Sequence, residues 1–154
     1  MERQTRQLRV LAISSGGGHW EQMLLLRDSF KDHDVLYANT LPGLAERAGI
    51  ENAIVISDCN RDLPMQNFKC AWEAFNLIRK FRPDIILTTG AAPGLLALGI
   101  GRLFGAKGVW IDSVANSRQL SMSGKLAGRI AHLHLTQWEH LSVSGGPKYM
   151  GSVI

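Results

Sequence analysis

The sequence predicts an α/β domain: a Rossmann-like, doubly wound parallel sheet with helices on both faces, forming one domain over residues 1–154. Three observations predict it. Short apolar runs rich in Val, Ile and Leu alternate with segments of helical periodicity, the pattern of parallel strands joined by right-handed crossovers. The chain of 154 residues is long enough for one core and not for two. No internal repeat, low-complexity tract or linker interrupts it.

The elements read as follows. Residues 8–14 (LRVLAIS) form a buried strand, broken by Gly16, Gly17 and Gly18. A helix over 19–30 follows, then a strand over 34–38. Residues 42–48 form a short helix, with Pro42 near its start and Gly49 past its end. Residues 53–57 are a third strand and 58–64 a polar loop. The longest helix is 65–81, where Phe68, Trp72, Phe75, Ile78 and Phe81 recur at steps of three and four. This aromatic stripe is read as core. Pro83 and Asp84 end that helix, 84–88 (DIILT) is a fourth strand, and 90–94 is a tight loop. A helix over 95–104, a fifth strand over 107–111, a helix over 123–131 and a sixth strand over 132–136 complete the domain. Strand order is not legible in the sequence.

Charge is unevenly placed. From Ala91 onward there are six basic and two acidic residues, so this segment carries the whole net charge of +4. A basic C-terminal half suits an anionic partner: phosphate, pyrophosphate or acidic lipid. Nucleic acid is not expected, because no reader motif and no exposed aromatics interleave the basic residues. The two cysteines, Cys59 and Cys70, fit no zinc or CxxC spacing and are expected to be reduced thiols. The polar start MERQTRQ shows no signal peptide. The longest nearly uncharged stretch, 88–101, is too short and too rich in glycine to span a bilayer. The expectation is a cytoplasmic chain that does not cross a membrane, although it can lie on one.

In open α/β sheets, ligands bind beyond the C-terminal ends of the strands. Three loops leave strands at that edge. In the first, Ser14 to His19, Gly16, Gly17 and Gly18 let the backbone approach a ligand and aim helix N–H groups at an anion. Ser15 either joins that cradle or caps a tight turn. The motif is neither GxGxxG nor a P-loop. His19, in the first helical turn, is a candidate proton acceptor, or else a loop-bonding histidine. The second loop contains Thr89, Gly90, Ala91 and Gly94, all small, and either grips a diphosphate or sugar or is only a compact turn. The third sets Asp112, Ser113, Asn116 and Arg118 within seven residues, a carboxylate, hydroxyl, amide and guanidinium suited to a sugar and a phosphate. Asp112 is the second candidate base. His33, His132, His134 and His140 lack metal-ligand spacing and read as structural, so neither metal nor cofactor is expected.

At these loops the sequence resembles a known family. The pieces SSGGGH, HWEQMLLL, TTGAAPG and the run VWIDSVANSRQLSMSGKLAGRIAHLHLTQWEHL are similar to the PssD family of bacterial polysaccharide synthesis. That family is itself similar to the Alg-fourteen subunit of the eukaryotic enzyme that adds the second N-acetylglucosamine to a dolichol-diphosphate sugar. The specific pieces are SMSGKL (121–126) and TQW (136–138), and the closing KYMGSVI also matches. The N-terminal domain of MurG is a more distant likeness.

The resemblance implies an inverting glycosyltransferase of GT-B architecture divided between two proteins. This chain would be the acceptor-side, N-terminal half, taking a polyprenyl-diphosphate-linked sugar in capsule or exopolysaccharide synthesis. A separate donor-binding subunit, PssE-like or Alg-thirteen-like, would hold the UDP-sugar, and the chain would be inactive without it. Ending just after the sixth strand fits that division. His19 and Asp112 would be catalytic, with Ser15, Gly16, Gly17, Gly18, Thr89, Gly90, Ala91, Gly94, Ser113, Asn116 and Arg118 holding acceptor sugar or phosphate. Eukaryotic members carry an N-terminal spanning helix, which is not visible here. The helix 95–104, flanked by Arg102 and Lys107, would rest on the membrane surface or else be buried in the core. The alternative function is a non-catalytic membrane recruiter of a complete partner transferase. A stand-alone domain binding nucleotides or sugar phosphates is a third reading.

Overall fold

A computed structural model describes residues 6–59 and 62–154. The polar start (1–5) and two residues of the 58–64 loop (60 and 61) lie outside the described residues. The chain runs β1 (Arg9–Ile13), α1 (Gly18–Leu26), β2 (Asp34–Asn39), α2 (Leu44–Arg47), β3 (Ala53–Val55), α3 (Pro64–Phe81), β4 (Ile85–Thr88), α4 (Ala91–Leu103), β5 (Lys107–Ile111), α5 (Met122–Ala127), β6 (Leu133–Thr136) and β7 (Lys148–Tyr149). Single 3-10 turns follow α1 and β6. The strands form one sheet in the order β3-β2-β1-β4-β5-β6-β7. Every pair is parallel.

Each face of the sheet has its own core. Leu11 and Ile13 of β1 point to one face with Leu77 and Ile78 of α3 and Ala97 and Leu98 of α4. Ala12 points to the other, against Trp20 and Met23 of α1, Phe30 and Tyr37. Strands covered on both faces must be apolar throughout, which is why the runs were readable. Burial also holds the Tyr37 hydroxyl above its ordinary pKa.

The structure corrects the sequence reading at several points. The 90–94 stretch is mostly helix, because α4 begins at Ala91, four residues earlier than expected. Pro93 sits in its first turn, where its missing N–H has no intrahelical partner to lose. The sheet has a seventh strand, β7, only two residues long and paired with β6. The aromatic stripe of α3 is core only at one end: Ile78 is buried, whereas Phe68 is 70% and Trp72 58% exposed. Trp72 stacks on Phe75 (centroids 5.9 Å apart), and Phe75 meets Phe104 edge-on at 5.5 Å. With Met65 and Leu103 these rings make an apolar outer face across α3 and α4. The helix expected at 95–104 is buried along one face and open on the other: Ala97, Leu98 and Gly101 are buried, while Leu103 is 86% exposed. No helix among the described residues is long and apolar enough to cross a membrane. Cys59 and Cys70 are free thiols with their sulfurs 2.8 Å apart, where the loop after β3 turns back onto α3.

Candidate functional site

Strand order reverses at β1. The chain steps outward to β2 and β3, then crosses back to β4 on the other side. The loops after β1 and β4 therefore flank the crevice where open α/β sheets take their ligands, and these are two of the three loops singled out in the sequence.

The glycine loop is shaped for close approach. Gly17 has φ +71° and caps α1 with no side-chain hydrogen bond, so the first-turn N–H groups stay available. Gly17 and Gly18 are exposed, and a Cβ on either would meet nothing within 4 Å. Gly16 differs: its N–H donates to Thr40 Oγ1 (3.0 Å), and the Leu41 side chain fills the space a Cβ would need. Ser15 does not cap the helix; its hydroxyl turns to the Gly16 carbonyl at 3.4 Å. Beside this loop, two buried polar atoms, Ser14 Oγ and Asn39 Nδ2, have no protein partner among the described residues.

His19 bridges the crevice. Its Nδ1 lies 2.9 Å from the Thr89 carbonyl oxygen, and Thr89 Oγ1 donates to the His19 carbonyl at 2.6 Å. A carbonyl only accepts, so Nδ1 carries the proton, and in the neutral ring Nε2 is left with its lone pair. Nε2 has no protein partner among the described residues. The ring rests on Gly90, where a Cβ would come within 2.7 Å of it. Gly90 has φ +130°, and Ala91 after it has φ +68°, a conformation unfavourable for a residue with a side chain. Backbone strain of this kind, next to a half-buried imidazole in a crevice, is typical of functional loops. Gly94 is a different case: it is buried inside α4 against Thr88, so its smallness serves helix–sheet packing rather than a ligand.

Asp112 is not placed as a base. It is 1% exposed, and both oxygens are committed. Oδ1 accepts from Trp110 Nε1 (3.1 Å) and Ser121 Oγ (2.6 Å), and Oδ2 from Ser121 N (3.0 Å) and Asn116 Nδ2 (3.3 Å). Ser121 in turn caps α5 by accepting from Gly124 N. A side chain at Gly124 would collide with Asp112 itself. The carboxylate thus ties β5 to α5, which is why the SMSGKL piece follows it. Ser113 is also buried, accepting from Gln22 Nε2 (2.9 Å) and Ala115 N (3.3 Å). Asn116 is half-buried, and Arg118 is exposed beside an open groove of about 260 Å³.

The structure thus joins His19, Thr89 and Gly90 directly. It links Asp112 to Asn116, and leaves Arg118 without a protein partner among the described residues. It also adds residues the sequence reading passed over. Gln137 Nε2 donates to Gln22 Oε1 (2.6 Å) and to the Asp112 carbonyl (3.0 Å). Trp138 Nε1 donates to the Val114 carbonyl (2.8 Å), and His140 Nε2 donates to that of Ser117 (2.7 Å). These bonds hold the loop after β5, and the only sequence signal for them was the specificity of the TQW piece. Of the other histidines, His132 accepts from Gly108 N (3.0 Å), and burial holds His134 below its ordinary pKa. Among the described residues no three His, Cys, Asp or Glu side chains converge as metal ligands. A cavity of about 710 Å³ opens at the opposite edge of the sheet between Arg6, Arg82, Asp84 and Lys107 and involves none of these loops.

Comparison with known proteins bears on the family and the fold. The family model described as "Oligosaccharide biosynthesis protein Alg14 like" matches residues 50–153. The UDP-N-acetylglucosamine transferase subunit ALG14 of Mus musculus is 22% identical over an alignment covering 96% of this chain and 83% of the mouse protein. Among solved structures, MurG of Acinetobacter baumannii superposes with a TM-score of 0.76 at 14% identity, covering 92% of this chain and 45% of that one. A UDP-N-acetylglucosamine 2-epimerase from Rickettsia bellii gives 0.73 at 14% identity, covering 96% and 46%. At such identities the likeness is one of fold, and the chain spans less than half the length of these structures.

Proposed function

Because the chain belongs to the Alg14-like family of oligosaccharide biosynthesis proteins, we propose that it is the acceptor-side subunit of a two-component inverting glycosyltransferase. A separate subunit holds a UDP-sugar, and this chain presents a polyprenyl-diphosphate-linked sugar in polysaccharide synthesis. The observation that carries this reading is His19, pinned across the switch-point crevice with Nε2 unpartnered. The acceptor's hydroxyl oxygen attacks the anomeric carbon, the bond to UDP breaks on the opposite face, and the hydroxyl proton passes to Nε2. The N–H groups at Gly17 and Gly18 and the strained Gly90–Ala91 turn bind the acceptor's diphosphate or first sugar. Arg118 and Asn116 contact sugar or phosphate from the third loop. The mouse relative is named as a transferase subunit, which supports the division between two proteins.

A lipid-linked acceptor requires the chain to work at a membrane. The apolar outer face of α3 and α4 supports peripheral contact: Met65, Phe68, Trp72 and Leu103 stand out from it, and the exposed Arg102 and Lys107 lie nearby in the chain. This face replaces the single helix expected from the sequence. The test is isolation of the tagged chain from its host's membranes. The chain should sediment with membranes and bring a near-stoichiometric companion bearing a nucleotide-sugar site. The variant Phe68→Ser/Trp72→Ser should move to the soluble fraction and still retain that companion. A chain that is soluble and alone would overturn the reading.

A further inference from the structure

We propose that Gln22 is the positioning residue of this site, its amide setting the register between the His19 turn and the loop 113–119; this rests on the acceptor-side reading above. Gln22 lies one helical turn after Gly18 and points inward, 6% exposed. All four hydrogen-bonding positions of its amide are used. Nε2 donates to the Gly18 carbonyl (3.1 Å) and to Ser113 Oγ (2.9 Å). Oε1 accepts from Val114 N (3.1 Å) and Gln137 Nε2 (2.6 Å).

Two contrasts give this amide its meaning. Its buried neighbours on α1, Trp20 and Met23, are apolar and serve the core on the other side of the helix. An apolar residue at 22 would serve burial equally well, whereas an amide there is tolerable only if every polar atom is satisfied. A fully satisfied amide fixes position as well as filling space. Secondly, among the described residues no other side-chain hydrogen bond joins α1 to the loop after β5. The loop's other anchors come from outside α1, in Asp112 to Ser121 and Trp138 to Val114. From α1, among the described residues, only Gln22 makes such a bond. Acceptor groups bound at once by the His19 turn and by Asn116 or Arg118 need these pieces in fixed register, and a misplacement of about 1 Å costs roughly a hundredfold in rate.

The experiment compares Gln22→Met, which keeps the volume and loses every bond, with Gln22→Glu. A Glu oxygen still accepts from Val114 N and Gln137 Nε2, and the Ser113 hydroxyl can turn to donate, so the three bonds toward the loop and Gln137 survive while the bond to the Gly18 carbonyl is lost. Each variant is paired with the donor-binding subunit and assayed well below its own Tm. Gln22→Met should lower kcat by roughly ten- to a hundredfold with the KM for the UDP-sugar, bound by the partner, unchanged. Gln22→Glu should recover part of that loss. Hydrogen exchange on the chain should show the 113–119 amides of Gln22→Met exchanging about tenfold faster while the strands stay protected. Wild-type kcat in folded Gln22→Met, equal losses in both variants, or unchanged exchange at 113–119 would each overturn the proposal. If the wild-type pair transfers no sugar, the acceptor-side reading fails, and the exchange measurement still decides whether Gln22 holds the loop.

Discussion

Replacing His19 by Ala should lower kcat of the reconstituted pair by about two to four orders of magnitude, the range a general base contributes. The KM for the UDP-sugar should stay within about twofold, because that ligand sits on the other subunit. The geometry makes the prediction specific. Thr89 accepts from Nδ1 and so leaves Nε2 as the basic atom, aimed from a crevice walled by Gly90. His19→Asn is the informative companion, since its amide can still donate to Thr89 but has no basic nitrogen. Both variants should fold, and both should lose turnover. Wild-type turnover in His19→Asn would remove the residue as a base and leave it only the task of holding the β4 loop.

Asp112→Ala should act on stability. It removes an acceptor of four hydrogen bonds in a fully buried place and strands Trp110 Nε1 and the Ser121 donors. Each orphaned donor costs about 1–3 kcal/mol, and non-additivity brings the sum to roughly 3–5 kcal/mol. For a chain of this size that is a fall in Tm of about 10 °C. Asp112→Asn is nearly isosteric but turns an NH₂ toward groups that themselves donate, so it should lose most of the same stability. Melting curves check both. Unchanged Tm with abolished turnover in Asp112→Asn would return the carboxylate to the reacting centre, against the geometry.

These two residues show what was legible in the sequence and what was not. The fold was legible because parallel strands covered on both faces must be apolar, and because Gly, Pro and helical periodicity punctuate them. The C-terminal edge followed from the fold class alone, and with it the three loops. Roles were harder. Asp112 and His19 look equally chemical in the sequence, yet one is sealed by Trp110, Asn116 and Ser121 while the other keeps a nitrogen unpartnered. That difference depends on which donors reach which oxygen, and no spacing rule encodes it. Gln22 and Gln137 are 115 positions apart, so their bond is invisible until the sheet brings α1 to the end of β6. The stripe on α3 failed for another reason. Periodicity reveals that a helix has an apolar face but not what covers it, and here Phe68 and Trp72 face outward. The short β7 is held by its pairing to β6, and two residues carry no periodicity to read.

The most direct test of the central claim is sugar transfer to a polyprenyl-diphosphate-linked sugar by this chain, by its membrane companion, and by the two mixed. The acceptor-side account predicts product only from the mixture, with a rate that saturates as either subunit is added to the other. Transfer by the companion alone at the rate of the mixture would contradict it and make this chain a recruiter. Transfer by this chain alone would place the UDP-sugar site on it.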